Sequence, residues 1–144
     1  MATIKQLMTT NVLVVHPNDT MLKVHELFHS NTIHHLPVVD AGNRVIGMIS
    51  KSDYLAVSNA LPLFKPEKRE AANVKLFQSL LVEDVMTRQV ATLAPEDALE
   101  VAIGYFKENM FHAIPIVDPA GRLAGILSTY DLLVFFFDQQ ALLN

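Results

Sequence analysis

Residues 34–53 read HHLPVVDAGNRVIGMISKSD, and residues 112–131 read HAIPIVDPAGRLAGILSTYD. Each stretch predicts a strand that opens at a proline, a hairpin turn, a returning strand, and a helix that begins at Ser-x-x-Asp. In the first stretch this helix is expected to run to about Asn59. The two stretches lie 78 residues apart and share eight identical residues. This repeated pattern decides the fold.

The same 78-residue offset extends outward in both directions. Residues 4–55 and 82–133 align without a gap and are identical at 16 of 52 positions. We therefore predict two copies of one unit, joined by residues 56–81 and followed by a tail at 134–144. Because a unit of this size makes a poor core alone, we expect the two to pack through their sheets into a single module over residues 1–144, with pseudo-twofold symmetry.

Upstream of the proline, each copy begins with a strand and a helix. Val12–Val15 predicts a short strand, and Asn18 or Asp19 is a candidate helix N-cap. Apolar residues at helical spacing follow, namely Met21, Val24, Leu27 and Phe28. Each copy therefore reads β-α-β-β-α, and the predicted fold class is mixed α/β (α+β).

Two segments fall outside the repeated pattern. Residues 61–66, which read LPLFKP, are interrupted by prolines and cannot form a continuous helix, whereas Glu67–Leu81 has the spacing of an amphipathic helix. Residues 132–137 read LLVFFF and are apolar on every side of a terminal helix. We expect such a helix to be covered, either by packing within the chain or at a homodimer interface.

The composition excludes several classes of protein. Hydrophobic residues make up 51% of the chain and charged residues 18%, which is too apolar for a disordered segment. No apolar run approaches the roughly 20 residues of a membrane span, and a net charge of −4 argues against a general nucleic-acid binder. Cysteine is absent and the first residues lack a secretory pattern, so we expect a cytoplasmic protein without disulfides.

The Ser-x-x-Asp motif occurs at Ser50–Asp53 and Ser128–Asp131 and has two interpretations. As a capping box, its hydroxyl and carboxylate satisfy the free amides of a helix N-terminus. As a nucleotide site, the helix end attracts phosphate, the carboxylate accepts from ribose hydroxyls, and Gly47 and Gly125 let a ligand approach the backbone. Both interpretations fit the same residues.

The remaining candidate groups are basic or imidazole side chains. Arg88 and Lys51 lie nearest the two motifs, and each either neutralises a phosphate or remains a surface charge. His34 and His112 are repeat counterparts and fit either a phosphate contact or a structural role. His35 would point to the opposite face of a strand from its neighbour His34, so we expect no metal site. The chain has no nucleophile elbow, phosphate-binding loop or cysteine, so we expect no enzyme.

Together these residues resemble a known family. Two copies of M-T, P-x-D, [LI]-P-[VI]-V-D, R and G-[MI]-[IL]-S-x-x-D are similar to a tandem pair of cystathionine β-synthase (CBS) domains, often called a Bateman module. The resemblance covers 104 of the 144 residues. It implies a regulatory module that binds an adenine-containing ligand (AMP, ADP, ATP or S-adenosylmethionine) and commonly assembles into a homodimer.

The resemblance also implies two composite clefts. In each cleft, the aspartate of one copy holds the ribose hydroxyls, and a nearby hydroxyl group faces phosphate. The segment before the proline of the other copy holds adenine, and the histidine in that segment contacts phosphate. One cleft would contain Ser50, Asp53, Thr87, Arg88, Phe111 and His112, and the other Ser128, Asp131, Thr9, Thr10, Ile33 and His34. His35 corresponds to Ala113 and Lys51 to Thr129, so the clefts are expected to differ in charge.

The leading prediction is a small sensor that binds an adenine nucleotide, requires no cofactor, and passes its occupancy on through shape to a protein partner. A ligand-free structural or dimerisation module is the main alternative, and in it the Ser-x-x-Asp groups only cap helices. A sensor of S-adenosylmethionine is the other alternative.

Overall fold

The computed structural model describes residues 2–59, 66–108 and 112–143, with the side chains of residues 66–70 and 141–143 outside that description. After a short 3-10 turn at Ile4–Gln6, the first half contains α1 (Met21–Ser30), β1 (His35–Val39), β2 (Val45–Ser50), α2 (Lys51–Ser58) and α3 (Pro66–Ser79). The second half contains α4 (Val82–Val85), α5 (Leu99–Lys107), β3 (Ala113–Val117), β4 (Leu123–Ser128) and α6 (Thr129–Leu143).

The predicted mixed fold is confirmed, with one two-stranded sheet formed by each repeat. β1 pairs with β2, and β3 pairs with β4 in an antiparallel register that places Pro115 opposite Ile126. The turns of the two hairpins place Asn43 and Gly121, which are repeat counterparts, at positive φ angles of 64° and 84°. Asparagine and glycine tolerate this left-handed conformation better than other residues, which explains their presence at the same point of both turns.

The predicted strand Val12–Val15 is wrong in extent. Only Val15 pairs, through a parallel bridge to Val38 on β1, and its counterpart Leu93 bridges Ile116 on β3 in the same way. Residues 12–14 come before this bridge without pairing, and the chain turns at Pro17 soon after it, so one residue of the predicted strand joins the sheet.

The N-cap of α1 also differs from the prediction. Thr20 occupies the N-cap position without a side-chain hydrogen bond, in place of Asn18 or Asp19. The Asp19 carboxylate instead accepts from the His16 amide at 2.8 Å and lies 3.3 Å from the Lys23 ammonium. Burial alone raises the pKa of Asp19, but the His16 amide and Lys23 together hold that pKa below its usual value.

The chain packs as two compact units, and each unit combines segments of both repeats. Unit 1 contains Met1–Val12, Gly42–Val45 and Val90–Asn144, whereas unit 2 contains Leu13–Ala41 and Ile46–Gln89. The segment that opens each repeat therefore belongs to the unit formed mainly by the other repeat.

Backbone hydrogen bonds within each unit hold these exchanged segments. In unit 1, Thr9 and Ile126 of β4 donate to each other's carbonyls, both at 2.9 Å. In unit 2, Met48 of β2 and Thr87 form the same pair of bonds at 3.0 and 2.9 Å. Each hairpin thus gains a third backbone partner from the other repeat.

Each unit has its own buried core, and most core positions correspond between the repeats. Unit 2 buries Val15, Met21, Val24, Phe28, Leu36, Val38, Ile49, Tyr54, Phe77, Val82 and Met86. Unit 1 buries Ile4, Leu93, Leu99, Ala102, Ile114, Ile116, Leu127 and Leu132. Phe77, which is 1% exposed, comes from α3. A helix therefore forms in the predicted stretch Glu67–Leu81, but it ends at Ser79, and Leu81 is the N-cap of α4. The proline-interrupted stretch lies outside the described residues, apart from Pro66 at the start of α3.

α6 has one covered and one exposed face. Leu132 is buried and Phe135 packs against the unit 1 core, whereas Leu133 and Phe137 are 67% and 72% exposed. Packing within unit 1 therefore covers only part of the predicted apolar run. Among the helices of the described ranges, none combines the length and apolar character needed to cross a membrane.

Candidate functional site

The two Ser-x-x-Asp motifs form capping boxes at the starts of α2 and α6. The Ser50 amide donates to Asp53 Oδ2 at 3.0 Å, and the Asp53 amide donates to Ser50 Oγ at 3.1 Å. The same two bonds between Ser128 and Asp131 measure 2.8 and 3.1 Å. The capping interpretation is confirmed, and the caps fix both carboxylates at the N-terminus of a helix.

Capping uses only part of each carboxylate. Both boxes bond through Oδ2, so Oδ1 of each aspartate is not part of the cap. Oδ1 of Asp131 lies 3.5 Å from Thr9 Oγ1, at the outer limit of a hydrogen bond. Asp53 and Asp131 are both half-buried, so neither side chain is fully enclosed within its unit.

The helix starts offer few amides to an anion. The Lys51 amide donates to the His34 carbonyl at 2.8 Å, and the Thr129 amide donates to the His112 carbonyl at 3.1 Å. The Asp53 amide, which is the third amide of α2, bonds to Ser50 Oγ in the capping box. Of the first three amides of α2, this leaves the Ser52 amide without a bond to a described residue and available to a ligand. A phosphate would therefore meet one backbone donor here, fewer than a free helix end provides.

Gly47 and Gly125 are required by the exchanged segments, which differs from their predicted role of admitting a ligand. A Cβ atom at Gly47 would lie 2.7 Å from Met86 Sδ and 2.9 Å from the Thr87 carbonyl oxygen. At Gly125 it would lie 2.8 Å from the Thr9 carbonyl oxygen. The threonine segment already occupies the space that the missing side chain leaves in each unit.

Four residues of each predicted cleft lie together in one unit. The Asp53 half-site, in unit 2, consists of Ser50, Asp53, Thr87 and Arg88, and the Asp131 half-site, in unit 1, consists of Ser128, Asp131, Thr9 and Thr10. The residues predicted to complete each cleft belong to the other unit, because His112 lies in unit 1 and Ile33 and His34 lie in unit 2. Phe111 lies outside the described residues. The joining of half-site and pre-proline segment stays a prediction.

The two half-sites differ in charge. The Arg88 guanidinium is exposed and donates from Nη2 to the Glu83 carbonyl at 3.0 Å, which anchors it to α4. Lys51 is half-buried at the first position of α2. The repeat counterparts of these two cations are Thr10 and Thr129, so the Asp131 half-site lacks both charges.

The prediction of no metal site wrongly assumed that the chain has no H-x-x-x-H or H-E-x-x-H pattern. His25–His29 reads HELFH, the H-E-x-x-H spacing found in many zinc sites. Its two imidazoles face one hydroxyl, with Tyr54 Oη 2.5 Å from His25 Nδ1 and 3.2 Å from His29 Nε2. Within the described part of the chain, no group of three or more His, Cys, Asp or Glu side chains could hold a metal ion. The i, i+4 spacing was the signal that could have revealed this cluster.

Comparison with known families settles the identity of the repeats. A family model described as the CBS domain matches residues 4–59 and 82–138. The chain belongs to the CBS domain family. Both matched ranges begin at the predicted starts of the repeats, and each contains one capping box, which confirms the resemblance drawn from the repeated residues. An uncharacterised protein of Methanocaldococcus jannaschii is 29% identical to this CBS pair over 149 residues, covering 90% of this chain and 88% of that protein.

Solved structures of CBS pairs share the fold. The CBS-pair protein CBSX2 from Arabidopsis thaliana matches with a TM-score of 0.81 at 25% identity, over 96% of both chains. CBSX2 in complex with AMP matches with a TM-score of 0.79 at 25% identity, over 97% of this chain and 99% of that one. Another CBS domain pair, in complex with 5′-methylthioadenosine and S-adenosyl-L-methionine, matches with a TM-score of 0.71 at 25% identity, over 94% and 99%.

Proposed function

We propose that this CBS pair is a regulatory module that binds an adenine nucleotide of the AMP, ADP or ATP class, one molecule at each half-site. One observation carries the proposal. Each unit places a capped aspartate with Oδ1 outside the cap beside a helix N-terminus and a threonine segment. The AMP complex of a CBS pair with the same fold supports it. Ligand occupancy would act by shifting an equilibrium between two forms that a partner chain distinguishes.

Each group of the half-site has a role in the proposed complex. Oδ1 of Asp53 or Asp131 accepts from the adjacent pair of ribose hydroxyls, a pattern that an acceptor-only carboxylate suits. The Ser52 amide and the Thr87 hydroxyl face phosphate at the Asp53 half-site, where the helix end adds positive potential. The residues assigned by family resemblance complete the ligand contacts from the other repeat, namely Ile33 and Phe111 for adenine and His34 and His112 for phosphate.

The charge difference between half-sites predicts a difference in ligand preference. Arg88 and Lys51 favour a more highly phosphorylated nucleotide at the Asp53 half-site. The Asp131 half-site has threonines in their place, so a ligand with a cationic sulfonium meets less repulsion there. S-adenosylmethionine is therefore a second candidate for the Asp131 half-site, supported by the complex of a related CBS pair with this compound.

Isothermal titration and thermal unfolding with AMP, ADP, ATP and S-adenosylmethionine test the proposal. A ligand that binds only the folded chain raises the unfolding midpoint as its concentration rises. Asp53→Ala and Asp131→Ala should each remove one binding site and leave the other. If none of these compounds gives binding heat or shifts the unfolding midpoint at millimolar concentration, the ligand-free dimerisation module is favoured.

Matched variants separate capping from ligand binding. Asp19 and Asp97 are repeat counterparts, one in each unit, and each accepts a backbone amide at 2.8 Å outside the half-sites. Asp19→Ala and Asp97→Ala should cost about 1 kcal/mol of stability, as for other lost hydrogen bonds, and leave both binding sites intact. If Asp53→Ala and Asp131→Ala behave the same way, these aspartates are only caps.

We also propose that the CBS pair forms a homodimer through the exposed face of α6, as the family resemblance implies. That face carries an apolar surface with no cover inside unit 1, formed by Tyr130, Leu133, Val134, Phe136 and Phe137. Light scattering at micromolar concentration should give twice the mass of the chain. The double variant Phe136→Ser, Phe137→Ser should give the mass of one chain, and a single-chain mass for the unaltered protein would overturn the dimer.

A further inference from the structure

The exposed face of α6 carries a continuous apolar stripe. Its members follow the i, i+3, i+4, i+7 spacing that places side chains on one side of a helix, and they are Tyr130, Leu133, Val134 and Phe137. They are 70%, 67%, 39% and 72% exposed, whereas Leu132 on the other side of α6 is buried in the unit 1 core. These four exposed residues are called the α6 stripe below.

Unit 2 shows that the fold does not require this stripe. α2 is the repeat counterpart of α6, and its corresponding positions hold Ser52, Leu55, Ala56 and Asn59. Of these, only Leu55 has a large apolar side chain, and it is 44% exposed. The same helix is therefore built without the stripe in unit 2, and an exposed apolar face of this kind indicates an interface.

A second copy of α6 is the partner that matches the stripe. Two apolar stripes exclude water from their contact without burying an unpaired polar group. α2 of a second copy would instead place Ser52 and Asn59 against aromatic rings, where their polar groups would lose water. Beyond its capping box, α6 contains one charged residue, Asp138, so two stripes can meet with few charges between them.

Asp138 distinguishes the two directions in which a pair of α6 helices could run. Its side chain is exposed, one residue beyond the end of the stripe. In a parallel pair, the two Asp138 carboxylates lie at the same height and repel each other. In an antiparallel pair centred between Leu133 and Val134, each Asp138 lies level with Thr129 of the other copy. There the positive end of the helix dipole attracts a carboxylate.

We propose that α6 packs antiparallel against α6 of a second copy, with Tyr130 level with the partner's Phe137 and the twofold axis between Leu133 and Val134. This arrangement rests on the homodimer proposed above and specifies which surfaces meet in it. Over its 15 residues α6 is about 22 Å long, which is enough for the two stripes to overlap in full. The contact joins unit 1 to unit 1 of the partner through the same patch on both copies.

The antiparallel pair brings a partner carboxylate to the Asp131 half-site. α6 begins at Thr129, so the partner's Asp138 lies beside the helix start that this half-site uses. It takes up the positive potential that a phosphate would otherwise meet there. If the proposed nucleotide binding holds, the dimer should favour a cationic ligand over a polyphosphate at the Asp131 half-site. By linkage, a polyphosphate bound at this half-site should weaken the dimer by the same factor.

Cysteine cross-linking tests the arrangement, because the chain contains no cysteine of its own. A disulfide needs two Cα atoms within about 7 Å of each other. A mixture of Tyr130→Cys and Phe137→Cys, with an affinity tag on one of them, should give a mixed disulfide dimer on mild oxidation. Phe137→Cys alone should not, because its two copies lie roughly 10 Å apart along the helix axes. Both side chains are exposed, so their replacement should leave the fold intact.

Leu133→Cys and Leu55→Cys form a matched pair that identifies the partner surface, since these leucines are repeat counterparts. Leu133→Cys lies next to the proposed twofold axis and should cross-link to its own copy. It should not cross-link to Leu55→Cys. A disulfide between Leu133→Cys and Leu55→Cys, or between two copies of Phe137→Cys, would overturn the antiparallel α6 pair.

Asp138→Asn separates the two helix directions by the sign of its effect. In the antiparallel pair it removes two attractions between a carboxylate and a helix end, each worth roughly 2–5-fold at low salt. The dissociation constant of the dimer, measured by sedimentation, should therefore rise about 4–25-fold. A lower dissociation constant would indicate a lost repulsion and a parallel pair. Glu96→Gln, which alters an exposed carboxylate of unit 1 outside α6, is the control and should leave the constant unchanged.

Light scattering distinguishes failure of the α6 pair from failure of the homodimer. A single-chain mass for the unaltered protein would overturn both. A mass of two chains with the contrary cross-links would overturn the α6 pair and leave the homodimer. Since no ligand is present, neither result bears on nucleotide binding, and failure to bind nucleotide leaves these results unchanged.

Discussion

Unit 2 presents Tyr54 from α2 to two histidines and to Phe77, whereas unit 1 presents Leu132 from α6 to an aliphatic core. The starts of the same two helices are nearly alike, because both are closed by a capping box with the same two bonds. The repeats therefore agree where the helix begins and differ where its buried face packs. α3, which packs on α1 in unit 2, contributes Phe77 to the contact with Tyr54.

Removal of Phe77 should have the largest effect on this comparison. Phe77→Ala opens a cavity among three helices and is expected to lower the free energy of unfolding by about 3–5 kcal/mol. Chemical denaturation measures the loss. Phe106→Ala on α5, a half-buried phenylalanine of unit 1, is the control and should cost less. A loss for Phe77→Ala smaller than that of the control would contradict the described packing of α3.

Substitution of the two repeat-equivalent glycines should affect both units alike. Gly47→Ala and Gly125→Ala each place a methyl group against a neighbouring backbone carbonyl, which should cost about 1–3 kcal/mol as in other overpacked sites. Thermal unfolding compares the two. Gly104→Ala on α5 meets nothing within 4 Å and should instead gain about 0.5–1 kcal/mol. Neutral behaviour of Gly47→Ala alone would mean that only one unit holds its exchanged segment tightly.

The smallest effect should come from the charge of Asp19. Asp19→Asn keeps an acceptor for the His16 amide but loses the attraction to Lys23, which should cost about 0.5 kcal/mol or less, as for exposed pairs. Burial raises the pKa of Asp19, but its hydrogen bonds and the charge of Lys23 together lower that pKa by more, so the pKa is lowered in the folded state. The stabilisation is therefore present above about pH 4, the unfolded value, and disappears as the pH falls through the lower folded value.

Denaturation of Asp19→Asn at neutral and acidic pH measures this loss. Asp97→Asn is the control, because Val101 stands where unit 2 has Lys23. Its stability difference from the unaltered protein should depend less on pH. Equal pH dependence of both variants would show that Lys23 has no part in holding Asp19 ionised.

Features set by neighbouring residues could be predicted from the sequence. The start of α2 after Ser50 and its end before Asn59 follow from local capping. The hairpin could also be predicted, because the same sequence pattern occurs in both repeats. The N-cap at Thr20 could not be predicted, because the competing Asp19 is drawn to the His16 amide. The limited pairing of Val15 depends on where β1 lies, which no local pattern reports.

The site could be predicted only in part, for a related reason. Both capping boxes were identified by their repeated spacing, whereas the threonine segments were assigned to the site by the family resemblance. The role of Gly47 was missed because it depends on Met86 and Thr87, which arrive from the other repeat. An alignment of two copies shows which residues are alike and carries no information about which copy each segment packs on.

The exchange of opening segments has a consequence for the order in which the chain can fold during synthesis. Unit 2 has all of its residues once Gln89 has emerged, whereas Thr9 must wait for Ile126. The amides of Ile4 and Lys5 similarly close loops of about ninety residues with the carbonyls of Asp97 and Pro95, and contacts so distant along the chain form slowly. A single repeat translated alone would keep its own opening segment but would lack the one that the other repeat supplies. It would have to take that segment from a second copy, as in a domain-swapped dimer. When the two repeats are fused in one chain, the exchange of opening segments takes place within one molecule. Its extent therefore no longer depends on protein concentration.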